Sequence, residues 1–182
     1  MEVLMIHHIS EEIFKLPLKD YILTFDDGLY SQYYYFDRLS KIDTEKIFFI
    51  STNIICENTQ SIDFPACHEA HEKAFKGNKE DYMTWKQIKE LMDAPQVTIG
   101  GHGHEHKKLK DFNKIIDKMS YIIEDTKKML LEFDKNLGFK PNKFCYPYND
   151  DQNGMYTSLL KTFGISDFYG QERIPVETLL RN

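Results

Sequence analysis

Tyr21-Ile22-Leu23-Thr24-Phe25-Asp26-Asp27-Gly28 is the stretch on which the reading of this chain turns. The run over 21–25 is too short for a helix and rich in apolar residues, so it reads as a strand. An Asp-Asp-Gly triplet alone is most often a surface turn. The run before it moves the two acids to the end of a buried strand. Adjacent carboxylates repel each other, so a pair in such a place calls for a counter-charge. A divalent cation would supply one.

His102-Gly103-His104-Glu105-His106 offers further ligands. Read as a strand, all three imidazoles face one side. Read as the start of a helix, His102 and His106 share a face at i and i+4 while His104 points away. Read as a loop, all three are solvated. Gly100-Gly101 before them favours a turn and then a helical approach, which selects His102 and His106 and leaves His104 a structural part. Two imidazoles and a carboxylate with open positions left over make a hydrolytic metal-site pattern.

Working outward, short apolar runs at 3–9, 21–25, 46–51, 97–99 and 143–146 read as strands. Helical patterns fall at 31–41, near 65–76, and at 84–92, with Thr84 as an N-cap. The longest covers 111–133, with Ile115, Met119, Ile122, Ile123, Met129 and Leu130 on one side and Gly138 as a stop. A last one covers 155–163. Strands and helices alternate, which implies an α/β domain with a mainly parallel sheet over residues 1–182. Asp26, Asp27, His102 and Tyr148 then fall at or just after strand ends, where such folds place ligands. Cys67-His68-Glu69-Ala70-His71 has no partner pair and reads as a solvated loop. The aromatics of 30–36 read as the buried face of a helix.

The bulk numbers narrow the partners. Lys and Arg number 23 against 29 Asp and Glu, a net charge of −6. A duplex nucleic-acid binder would show a basic face instead. Three cysteines without framework spacing fit a reduced compartment. The first residues carry no basic leader, and no run reaches the ~20 apolar residues of a membrane span. A cytoplasmic protein is the expectation.

Taken in order, these pieces resemble the polysaccharide deacetylase family with the NodB-homology domain. Thr24-Phe25-Asp26-Asp27-Gly28 resembles its first motif, and Ile99 to His106 its second. Phe144-Cys145-Tyr146-Pro147-Tyr148 resembles its third. The likeness spans nearly the whole chain. It implies an irregular, distorted (β/α) barrel. The start, Leu4-Met5-Ile6-His7-His8-Ile9, resembles the Leu-Met-Tyr-His-x-Ile of the biofilm poly-N-acetylglucosamine deacetylases, as does Arg173-Ile174-Pro175-Val176. In that branch the domain is circularly permuted and the early His is the acid.

The resemblance implies a site. Asp27, His102 and His106 would hold one divalent metal, Zn²⁺ first, with Co²⁺ or Ni²⁺ as alternatives. Asp26 would be the general base and His7 the acid, with His8 its rival. The backbone N–H of Tyr148 would face the oxyanion. The implied substrate is an N-acetylated sugar or glycan. A deformylase or other amidase, and a non-catalytic carbohydrate-binding relative, are the competing readings. Three departures stand out. Gly103 replaces a Ser or Thr that can brace the site. Cys145 stands where many members have Arg, so that contact to the base is expected to be missing. The fourth motif, an Asp with a nearby Trp, has only Asp167 as a stand-in.

Overall fold

Among the described residues every strand runs parallel to its neighbours in the sheet, because neighbouring strands are joined by crossovers through helix or loop rather than by tight hairpins. The computed structural model describes residues 1–58 and 60–181. The strands are β1 (Glu2–Ile6), β2 (Tyr21–Phe25), β3 (Lys46–Ile50), β4 (Val97–Gly101), β5 (Lys143–Cys145), β6 (Asp167–Tyr169) and β7 (Ile174–Pro175). They lie in the order β6-β5-β4-β3-β2-β1-β7 and curl into a half-barrel. The expected distorted (β/α) barrel is what the chain forms, left open between β6 and β7.

The helices are α1 (Tyr30–Tyr34), α2 (Phe36–Leu39), α3 (Cys67–Phe75), α4 (Trp85–Met92), α5 (Ile115–Leu137), α6 (Met155–Lys161) and α7 (Val176–Leu180). Thr84 caps α4: its Oγ1 accepts the Gln87 N–H at 3.2 Å, and the Gln87 side chain accepts the Thr84 N–H at 2.8 Å. Gly138 ends α5 in the left-handed region at φ 76°. α5 starts later than its pattern suggested, and Ile115 is exposed. Its buried stripe is Ile122, Met129, Leu130 and Phe133, interrupted by Asp125 and Thr126.

The core lies between sheet and helices. Phe25 and Phe48 stack at 4.5 Å on neighbouring strands, and β3 is buried at all five positions. Gly100 and Gly101 do not open a turn as expected; they are the last residues of β4, and residues 102–106 after them form an irregular turn with Gly103 and His106 at positive φ, not the expected helical approach. A Cβ on Gly100 and Gly101 would meet the Phe49 ring at 2.6 Å and Met129 Sδ at 2.5 Å, so their lack of a side chain lets ring and helix close on the strand. β6, β7 and α7 have no counterpart in the expected pattern. Their two or three strand residues are too few to show a period.

The predicted helix over 31–41 is broken into α1 and α2; Leu39 enters the core as expected, but the deepest residues of α1 are polar. Ser31 and Gln32 are buried, whereas Tyr34 is exposed. The reason is hydrogen bonding. Gln32 Nε2 donates to the carbonyls of His7 (2.8 Å) and Asp26 (2.7 Å), and Ser31 Oγ accepts the Ile9 N–H at 3.2 Å. These side chains tie together the turns that follow β1 and β2, which would otherwise hold unpaired buried carbonyls. Among the described residues, no helix is long and apolar enough to cross a membrane.

Candidate active site

The carboxyl ends of β1, β2, β4 and β5 converge on one cleft of about 760 Å³. β1 delivers His7, β2 Asp26 and Asp27, β4 His102, and the turn after β5 Tyr148. Asp27 (φ 73°), His106 (φ 52°) and Tyr148 (φ 58°) all occupy the left-handed region. Such backbone costs a few kcal/mol at a non-glycine residue and persists only where the surroundings enforce it.

Asp27, His102 and His106 meet at a point. Asp27 Oδ1 lies 3.3 Å from His102 Nε2 and 3.2 Å from His106 Nε2, and the two Nε2 atoms are 3.1 Å apart. All three residues are buried. His102 Nδ1 lies 2.8 Å from the Cys145 carbonyl, so it carries the proton and leaves Nε2 as a lone pair. Burial lowers His106 to about 4, which keeps its ring neutral. Burial would raise Asp27, yet the facing imidazoles, His106 foremost, hold it well below the ordinary carboxylate range. Asp27 Oδ1 is buried with no hydrogen-bond partner. A buried carboxylate oxygen and two ring nitrogens at these separations suit a cation, since ligands about 2.0–2.2 Å from a tetrahedral ion lie about 3.4 Å from each other.

Asp26 is held differently. Arg173, the residue before β7, grips it with two parallel bonds, Nη1 to Oδ1 at 2.7 Å and Nη2 to Oδ2 at 2.8 Å. Arg173 also donates to Thr24 Oγ1 at 3.0 Å and Asn149 Oδ1 at 2.7 Å. The contact to Asp26 that Cys145 was expected to leave missing is therefore present. Arg173 Nη2 lies 2.9 Å from Cys145 Sγ, and the small side chain leaves room for a guanidinium that enters from the turn before β7. Burial works against ionisation of Asp26, and the Arg173 charge beside it overcomes that and holds it below its ordinary value.

His7 Nε2 stands 3.9 Å from Asp26 Oδ2 and 4.0 Å from Asp27 Oδ2, partly open to the cleft. His8 also lines the cleft but turns toward Phe64, their ring centroids 5.7 Å apart. Tyr148 lays its ring 4.7 Å from that of His106, at the cleft wall. His104 points away and bonds Thr52 Oγ1 at 2.8 Å, a structural part.

Gly103 has its own explanation. It sits at φ 77°, and a Cβ would meet Asp125 Oδ2 at 2.9 Å. Asp125, from α5, accepts the N–H groups of His104 and Glu105, each at 2.8 Å. A carboxylate from a distant helix thus braces the turn where a hydroxyl was expected. Asp167 is not at the site; it pairs with Lys143 at 3.2 Å.

His71 overturns its solvated-loop reading. It is a buried residue of α3, and its Nε2 lies 3.5 Å from the same Asp27 Oδ1. Asp27, His71 and His106 form one of the groups able to hold a metal ion. The signal was present as Cys67 and His71 at i and i+4, but α3 had to be placed before it pointed anywhere.

Comparison with known proteins decides the family. A family model described as polysaccharide deacetylase matches residues 15–166. The chain belongs to the polysaccharide deacetylase family. No curated protein matches it. Among solved structures, IcaB from Ammonifex degensii is 20% identical with a TM-score of 0.67, covering 96% of this chain and 84% of that one. The deacetylase domain of BpsB from Bordetella bronchiseptica is 13% identical with a TM-score of 0.66, covering 96% and 94%. The Streptococcus pyogenes deacetylase PplD in complex with acetate is 16% identical with a TM-score of 0.60, covering 100% and 96%. At these identities the likeness is one of fold, and it is the deacetylase fold. Members of this family are typically metal-dependent hydrolases.

Proposed function

We propose that this chain is a metal-dependent N-deacetylase that removes acetyl groups from an acetamido sugar or glycan, with residues 1–182 acting as one catalytic domain. The observation that carries the reading is the division of labour between the two adjacent acids. Asp27 faces imidazole nitrogens, and Asp26 is turned to Arg173. Two carboxylates in different surroundings take different roles.

Asp27, His102 and His106 would hold a divalent ion, Zn²⁺ first. Such an ion polarises an amide carbonyl and acidifies water. Asp26, kept ionised by Arg173, takes the proton from the water that attacks the amide carbon. The Tyr148 backbone N–H faces the oxygen where charge develops. His7 hands a proton to the departing nitrogen, so the C–N bond breaks to acetate and a free amino sugar. A cleft of about 760 Å³ suits a sugar-sized ligand. The acetate held by a structural relative is the product expected of such a reaction.

The test is acetate release from N-acetylglucosamine oligomers by the chain loaded with Zn²⁺, Co²⁺ or Ni²⁺, with Asp26→Asn as control. Turnover by the loaded chain, lost in the variant, is the expected result. Formate release from formylated amino sugars with no acetate release would move the reading to a deformylase. Metal uptake with no turnover on either would leave a carbohydrate-binding relative.

A further inference from the structure

We propose that His71 is a fourth protein ligand of this metal site, so that α3 takes part in holding the ion and the donor set is one carboxylate and three imidazoles. The inference rests on the reading that Asp27, His102 and His106 hold an ion.

His71 Nδ1 lies 3.0 Å from the Cys67 carbonyl one helical turn back. That bond places the ring proton on Nδ1 and leaves Nε2 as a lone pair. Nε2 is buried and has no hydrogen-bond partner. It points at Asp27 Oδ1, 3.5 Å away. Two acceptors aimed at each other in a buried site repel unless a cation lies between them. The separations of the three ring nitrogens from Oδ1 run from 3.2 to 3.5 Å. Each matches the spacing of about 3.4 Å between two ligands of a tetrahedral zinc.

The rival arrangement is a protonated His71 paired directly with Asp27. A charge-assisted N–H···O contact closes to about 2.7–2.9 Å, and 3.5 Å leaves it open. The mounting is firm as well. Ala70 and Ala74 of α3 pack in a buried cluster with Leu29, Ile54 and Tyr82. Cys67, on the same helix face, donates to Asp27 Oδ2 at 3.1 Å.

Four protein ligands make the shell closed, and the ion is then held more tightly than by three. Three imidazoles also favour zinc, cobalt or nickel over magnesium or calcium.

Zinc X-ray absorption on the unmutated chain counts the imidazoles directly. Three support the proposal, and two overturn it. Zinc affinity is then measured by competition with a chromophoric chelator, and the visible spectrum of the Co²⁺ form is recorded. His71→Ala and His71→Gln should bind zinc at least tenfold more weakly and shift the visible bands of the cobalt form, because water replaces an imidazole. Cys67→Ser should leave affinity and spectrum unchanged. Wild-type affinity and spectrum in both His71 variants would overturn the proposal. So would loss confined to Cys67→Ser, which would make sulfur the ligand. A chain that takes up no zinc at all overturns the metal-site reading itself. Uptake with two imidazoles overturns His71 alone.

Discussion

Arg173 and Asp26 are 147 residues apart in the chain and meet in a fork-to-fork pair whose two bonds measure 2.7 and 2.8 Å. Both side chains are almost wholly withdrawn from solvent. The pair fixes the orientation of Asp26 and keeps it ionised, the two conditions for a base beside a second carboxylate.

Replacing Arg173 with Met removes the charge that favours ionised Asp26. The acidic limb of the rate profile should then move to higher pH by about 1–3 units, since an adjacent cation lowers a carboxyl by that amount. The sign for stability follows from the same shift. Asp26 is depressed in the folded chain, so its contribution is present above the ordinary value of 3.8 and is lost as pH falls through the lower folded value. Breaking a buried pair by removing one partner costs about 3–5 kcal/mol. Rate profiles and thermal melts of the two proteins against pH check both; superimposable profiles would remove Arg173 from the role.

Asp26 and Asp27 should separate cleanly. Asp26→Asn is expected to retain its metal and lose turnover by about 10²–10⁴-fold, the usual contribution of a positioned base. Asp27→Asn combined with His106→Ala is expected to lose the metal. Metal content by elemental analysis beside the acetate assay distinguishes them. Equal metal loss in both would mean that the acids share one role.

His7 reaches the acid pair, and His8 turns to Phe64. His7→Ala should therefore keep the metal and slow turnover by roughly 10²–10⁴-fold. His8→Ala should leave the rate within a few-fold. The opposite ranking, or a metal-free His7→Ala protein, would reassign the acid.

Gly103→Ser, which restores the residue more usual in this motif, should damage this chain. Its φ of 77° and the 2.9 Å approach of a Cβ to Asp125 Oδ2 both oppose a side chain. A loss of about 1–3 kcal/mol is expected from the backbone alone. Thermal melts of the metal-free protein measure it. An unchanged melting temperature would show that Asp125 yields and is not the brace.

The parallel α/β plan and the places of the acid pair, His102, His106 and Tyr148 were legible along the chain. These depend on local things: the length of an apolar run, the residue types at its end, and the order of the runs along the chain. Tertiary structure alone decided that Arg173 supplies the guanidinium that Cys145 does not. It also turned His71 inward, buried Ser31 and Gln32 in place of the tyrosines, and set Asp125 under Gly103. Each of these joins residues far apart in the chain, and each depends on how a helix is rotated or where a two-residue strand enters the sheet. Neither the rotation of α3 and α5 nor the entry of β7 leaves a period in the sequence. Both are settled by which buried groups must be paired once the half-barrel has formed.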